Sequence, residues 1–146
     1  MKQWHLQKCV RKKNLLTGKN SSHVFPTHMN TTLTTTDITW YKAGSTVDVP
    51  ENGGACAMIK GKQIAIFNFT RRNEWYATDN LCPHKQQMIL SRGMIGDMSS
   101  EPKVACPFHK KTFSLKDGHC MSGDEYTIKT YPIKVEDGLI FIGLNE

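Results

Sequence analysis

A chain of 146 residues with 38% hydrophobic side chains has room for one domain-sized core, and its longest apolar runs fall far short of the roughly 20 residues that cross a bilayer as a helix. The formal charge of +6 excludes a folded nucleic-acid reader: Lys2, Lys8, Arg11, Lys12, Lys13 and Lys19 lie in residues 1–28 with no acidic residue among them, so the rest of the chain is balanced. Five cysteines, an odd number, with no apolar signal-peptide core at the amino end, argue against a secreted disulfide framework.

Residues 1–36 are basic, then rich in threonine and asparagine, with little apolar periodicity. This predicts a disordered leader ahead of a single domain over residues 37–146. The leader is rich in lysine with one arginine, a poor match to a transit peptide, and Met29 offers an alternative start that would make residues 1–28 upstream sequence. From Ile38 onward the signals are short strands and tight turns. "ACAMIK" and "QIAIFNF" flank Gly61, and "EWYATD" follows a polar turn, which together predict a meander. "KQQMILSRGM" is the one stretch with a trace of helical periodicity. "KTFSL" precedes Asp117-Gly118, and "PIKV" and "LIFIGL" flank Asp137-Gly138; Asp-Gly between apolar runs predicts a hairpin, because glycine accepts the positive φ of a type I′ turn. The expected fold class is all-β, built of small antiparallel sheets.

Between these strands lie two echoing loops, Cys82-Pro83-His84 and Cys106-Pro107-Phe108-His109. Each proline fixes φ near −65° and stiffens a loop that no sheet ladder supports. Thiolate and imidazole in two pairs leave three readings: zinc, a two-iron cluster, or no metal. Structural zinc usually draws its ligand pairs from knuckles with two to four intervening residues, all reaching one ion. Only Pro83 separates Cys82 from His84. Two irons, one taking both sulfurs and the other both imidazoles, accommodate that one-residue gap. Cys56 and Cys120 fall in apolar strand-like settings and read as small buried hydrophobes, and Cys9 belongs to the leader. Of the other histidines, His5, His23 and His28 are leader residues and His119 is a turn residue, none with a partner at ligand spacing.

Cys-x-His, a gap, and Cys-x-x-His form the signature of Rieske [2Fe-2S] proteins. With "LSRGMIGD", "ACPFHKKTFSLKDGHC" and "YPIKVEDGLIFI", the chain from residue 39 to about residue 144 resembles the small subunit of the assimilatory NAD(P)H-dependent nitrite reductases. The resemblance implies a Rieske-like fold with a cluster-binding subdomain of two loops, and one [2Fe-2S] cluster per chain held by Cys82, His84, Cys106 and His109. It also implies a cytoplasmic complex with a large subunit that holds FAD, a further iron–sulfur cluster and sirohaem, and that reduces nitrite to ammonium. No membrane or nucleic-acid partner is expected. The chain alone is not expected to be catalytic, since its cluster would have no open coordination position.

Two other readings stay open: the ferredoxin component of a ring-hydroxylating dioxygenase, and a cluster-free or zinc-bound interaction module. Lys110 stands where most Rieske ferredoxins have glycine, and some members of the nitrite reductase branch keep the fold without the four ligands. Two thiolates and two neutral imidazoles leave the oxidised cluster neutral, whereas four thiolates would leave it doubly negative, so reduction is easier. That agrees with the Rieske window of about −150 to +300 mV. Phe108 stands where the high-potential type has an extra cysteine, which places the expected potential at the low end. The lysines around the loops, Lys85, Lys110 and Lys111, are expected to form a basic rim, and the amides of Lys85, Gln86, Lys110 and Lys111 are expected to donate to the cluster sulfurs.

Overall fold

The computed structural model describes residues 37–145; the expected leader, Met29 and Cys9 lie outside them. In chain order the strands are β1 (Ile38–Ser45), β2 (Gly53–Ile59), β3 (Lys62–Phe69), β4 (Glu74–Asp79), β5 (Leu81–Cys82), β6 (Gln87–Met88), β7 (Met94–Met98), β8 (Glu101–Ala105), β9 (Thr112–Ser114), β10 (Thr130–Tyr131), β11 (Ile133–Glu136) and β12 (Leu139–Asn145). Short 3-10 turns are the sole helical structure among the described residues. The strands form a sheet ordered β1-β12-β11, a second ordered β10-β4-β3-β2, a third ordered β7-β8-β9, and the small pair β5-β6. Every pairing between neighbouring strands of the described residues is antiparallel.

Strand β3 lies at the centre, and its alternation divides the interior in two. Successive side chains of a strand point to opposite faces. On one face Ala65, Phe67 and Phe69 pack with Leu90, Val104, Phe113, Leu115, Ile128 and the cysteines Cys82, Cys106 and Cys120. On the other, Ile64 and Ile66 pack with Val49, Ala57, Ile59, Tyr131, Ile140, Ile142 and Leu144. Both Phe67 and Phe113 are fully buried, each worth about 2–3 kcal/mol of hydrophobic stabilisation. One core therefore lies beneath the two loops and the other forms the base.

The first turn of the predicted meander and the predicted Asp137-Gly138 hairpin both form. Ile59 pairs with Lys62 across Lys60 (φ 47°) and Gly61 (φ 76°), and Glu136 pairs with Leu139 across Asp137 (φ 50°) and Gly138 (φ 72°). Two successive positive φ values give the twist that antiparallel neighbours need. The Asp117-Gly118 turn also forms, but it returns through single bridges, Phe113 to Cys120 and His119 to Thr127, rather than a long strand.

The stretch "KQQMILSRGM" is not helical. It contains β6 and the 3-10 turn Leu90–Arg92. Three of its amides go to a residue outside it: the carbonyl of Asn80 accepts from Ile89 N (2.8 Å) and Leu90 N (3.0 Å), and its side-chain Oδ1 accepts from Ser91 N (2.8 Å). Amides bound to Asn80 are not available to carbonyls four residues back, so no α-helical ladder develops.

Candidate metal centre

The two loops are the tips of neighbouring strand pairs. Cys82 ends β5 and pairs with Gln87, so Pro83, His84, Lys85 and Gln86 form the tip. Gln86 sits at φ 54° and its side-chain amide donates to the Pro83 carbonyl at 3.0 Å, closing the turn. Cys106 follows β8, and the Ala105–Thr112 pair below it closes the second tip. Within that tip Cys106 N donates to the Lys111 carbonyl (2.8 Å) and Lys110 N to the Cys106 carbonyl (2.9 Å). Lys110 adopts φ 55° to make this turn, the conformation in which glycine carries no Cβ penalty. That is the physical content of its standing where ferredoxins have glycine.

The four side chains expected to act together are brought together as two pairs. Cys82 and Cys106 are each 1% exposed, and both lie inside the upper core. The rings of His84 and His109 stand edge to face with centroids 4.9 Å apart. Burial pushes the Cys82 thiol above its ordinary value; the amides of His84 and Lys85 pull it down, and the Cys106 thiol adds to the upward push. Of the donors predicted from the sequence, the Lys85 amide acts on the Cys82 thiol in the direction that favours thiolate, whereas the Lys110 amide is bound to the Cys106 carbonyl because the turn requires it. His84 has its proton affinity lowered, first by burial, then by His109, Lys85 and Lys111, with Asp124 opposing. It is therefore biased to the neutral imidazole that metals bind.

One atom bears directly on whether a metal fits. Nδ1 of His84 is buried and has no hydrogen-bond partner. Such a group costs about 1–3 kcal/mol if nothing satisfies it, and a metal bond would. The donor set also bears on which metal. A tetrahedral zinc ion would draw four donors to within about 4 Å of one another. Among the described residues the set of three such donors that converges within 4.8 Å is Glu101, Asp117 and His119; no three of the four loop side chains do so. Two metals, each facing one pair, suit that spread.

Residues not singled out from the sequence also shape the site. Asn80 pins the far side of the first loop. Lys111, expected on a free basic rim, is half-buried and ion-paired with Asp124 at 2.5 Å. Tyr126 stands edge-on to His84 with centroids 5.9 Å apart. His119 takes Asp117 at 2.6 Å, with Glu101 at 4.0 Å, on the surface. Cys120 is buried in the upper core, as a small hydrophobe would be, and Cys56 is half-buried with its thiol 3.7 Å from Gln63 Oε1. A polar residue beside each Cys/His loop, such as Asn80, was the available sequence signal; the Lys111–Asp124 pairing left none.

Known proteins bear on this geometry. The family model of the Rieske-like [2Fe-2S] domain matches residues 39–143. The Salmonella typhimurium nitrite reductase (NADH) small subunit is 34% identical over 101 residues, covering 69% of this chain and 94% of that protein. The Klebsiella oxytoca nitrite reductase [NAD(P)H] large subunit is 38% identical over 95 residues, but this chain spans only 10% of its length. The ferredoxin component of the Pseudomonas aeruginosa naphthalene 1,2-dioxygenase system is 31% identical, covering 73% of this chain and 96% of that protein. Among solved structures, the NMR structure of the E. coli protein NirD superposes with a TM-score of 0.68 at 30% identity, covering 75% of this chain and 100% of that one. With the family model covering nearly the whole described length and a relative 34% identical over 69% of the chain, the chain belongs to the Rieske-like [2Fe-2S] domain family.

Proposed function

We propose that this chain is the small subunit of an NAD(P)H-dependent nitrite reductase, with a Rieske-type [2Fe-2S] cluster held by Cys82 and Cys106 on one iron and His84 and His109 on the other. The observation that carries the reading is the pair of core-buried thiols beside a pair of neighbouring imidazoles, one with an orphaned ring nitrogen. When bound, the cluster supplies one-electron redox chemistry. The chain's own residues do the rest. The upper core excludes water from the sulfurs, the amides of His84 and Lys85 favour thiolate at Cys82, and His109 is exposed at its tip.

The partner in this proposal is a large subunit bearing FAD, a further iron–sulfur cluster and sirohaem, in a cytoplasmic complex that reduces nitrite to ammonium. No helix of the described residues is long and apolar enough to cross a membrane, which is compatible with that placement. The dioxygenase ferredoxin is the second reading, favoured by the dioxygenase relative and disfavoured by Lys110.

The test is iron and acid-labile sulfide per chain in protein purified without air, with EPR after dithionite reduction. About two of each, with a Rieske-type signal, are expected; zinc at one per chain would refute the reading. Cys82→Ser and His84→Ala are each expected to lose the cluster. Nitrite-dependent oxidation of NAD(P)H on mixing with a nitrite reductase large subunit, and none with a dioxygenase terminal oxygenase, separates the first partner class from the second.

A further inference from the structure

The two imidazoles are not equivalent. His109 is exposed at its loop tip, while His84 is half-buried. A third segment, residues 121–126, crosses beside the first loop and brings the Tyr126 ring to 5.9 Å from that of His84. Its ends are tied to the β9 region: Met121 N donates to the Thr112 carbonyl (2.7 Å), Thr112 N to Ser122 Oγ (3.0 Å), and Cys120 N to the Tyr126 carbonyl (3.0 Å). Its middle has less to hold it. Gly123 sits at φ 86° with open space on its Cβ side.

What holds the middle is Asp124. One oxygen, Oδ2, takes the Lys111 ammonium at 2.5 Å and the Cys120 thiol at 3.8 Å. The ion pair is partly shielded, with side chains 26% and 33% exposed. Two residues on, Tyr126 presents its ring edge-on to His84, while the ring next to His109 besides His84 is its own neighbour Phe108, tilted at 6.5 Å. No element from the third segment stacks on His109 among the described aromatic contacts.

We propose that Tyr126, positioned by the Lys111–Asp124 ion pair, is a shield that closes His84 and leaves His109 as the imidazole open to a redox partner. The proposal rests on the cluster reading for its meaning, since it assigns the exit side of the site. Its geometry, however, belongs to the chain itself. Asp124 and Lys111 act through Tyr126 and are positioning residues.

The test is site-resolved carbethoxylation. The full chain, purified without air, is treated briefly with limiting diethylpyrocarbonate, and the labelling rates of His84 and His109 are read by peptide mass spectrometry. In the wild-type protein His109 is expected to label severalfold faster than His84. In Tyr126→Ala and Asp124→Ala the His84 rate is expected to rise toward that of His109 while the His109 rate stays unchanged, and Asp124→Glu is expected to restore the difference. Tyr126 is 38% exposed and outside the ion pair, so its variant carries the test if Asp124→Ala does not fold. Equal rates in the wild-type protein, or an unmoved His84 rate in Tyr126→Ala, would overturn the proposal. Iron content of the same samples reports on the cluster separately, so a colourless sample with unequal labelling refutes the function and keeps the shield.

Discussion

Asn80 is the perturbation that best separates the fold's logic from its motif. It is 2% exposed and lies two residues before Cys82. Its Oδ1 accepts the Ser91 amide at 2.8 Å and its Nδ2 donates to Gln63 Oε1 at 2.9 Å. Asn80→Ala removes both while leaving the backbone carbonyl that holds Ile89 and Leu90. The Ser91 amide, in a residue only 9% exposed, is then stranded at a cost of about 1–3 kcal/mol, and the Gln63 bond adds about 1 kcal/mol. A total of about 3 kcal/mol, at about 4–8 °C per kcal/mol for a domain of this size, lowers the melting temperature by about 15 °C. The assay is differential scanning calorimetry on anaerobic protein, with visible absorption followed in parallel. Because the Ser91 amide anchors the far side of the first loop, colour is expected to be lost at or before the thermal transition. Ser91→Ala, which keeps that amide, is the control and is expected to cost under about 1 kcal/mol. A melting temperature for Asn80→Ala within about 3 °C of wild type would refute the argument, since it would mean that water satisfies the Ser91 amide without penalty.

Three other outcomes follow from the same structure. Gly118→Ala is expected to fail to accumulate as folded protein: at φ 84° a Cβ would lie 1.8 Å from the Ile128 carbonyl oxygen, a clash with backbone that costs more than about 4 kcal/mol, and soluble yield with far-UV circular dichroism reads it. Lys110→Gly is expected to stabilise slightly, by about 0.5 kcal/mol, because relief of the strained φ of 55° outweighs the greater freedom of glycine in the unfolded chain; urea titration measures it. The Asp117–His119 pair predicts a pH dependence. Its hydrogen bond to Asp117 raises the His119 pKa, so that contribution is present below the ordinary value of 6.5 and is lost as pH rises through the folded one. The bond to His119 lowers the Asp117 pKa, so that contribution is present above 3.8 and is lost as pH falls through the folded value. The stability difference between wild type and His119→Asn, measured by urea titration, is therefore expected to be larger near pH 5.5 than at pH 8.5; an equal difference at both would refute it.

The sequence by itself determined what depends on neighbours along the chain. The turn at Gly61 and the Asp137-Gly138 hairpin were legible because a tight two-residue turn needs positive φ, which glycine accepts. The paired Cys/His loops were legible because the one- and two-residue gaps between their potential ligands are fixed by covalent spacing. Strand β4 was legible from the run "EWYATD" itself. The tertiary structure decided what depends on distant residues meeting. Strands β1 and β12 pair across nearly the whole described length, Ile38 with Asn145, and no local pattern specifies that register. "KQQMILSRGM" carried a helical trace, yet Asn80 took its amides. Lys111 read as one more surface lysine until Asp124, thirteen residues on, came within 2.5 Å. Local conformational preference is set by each residue's own sterics, whereas the partners of a buried amide or a half-buried charge are chosen by which surfaces the core brings together.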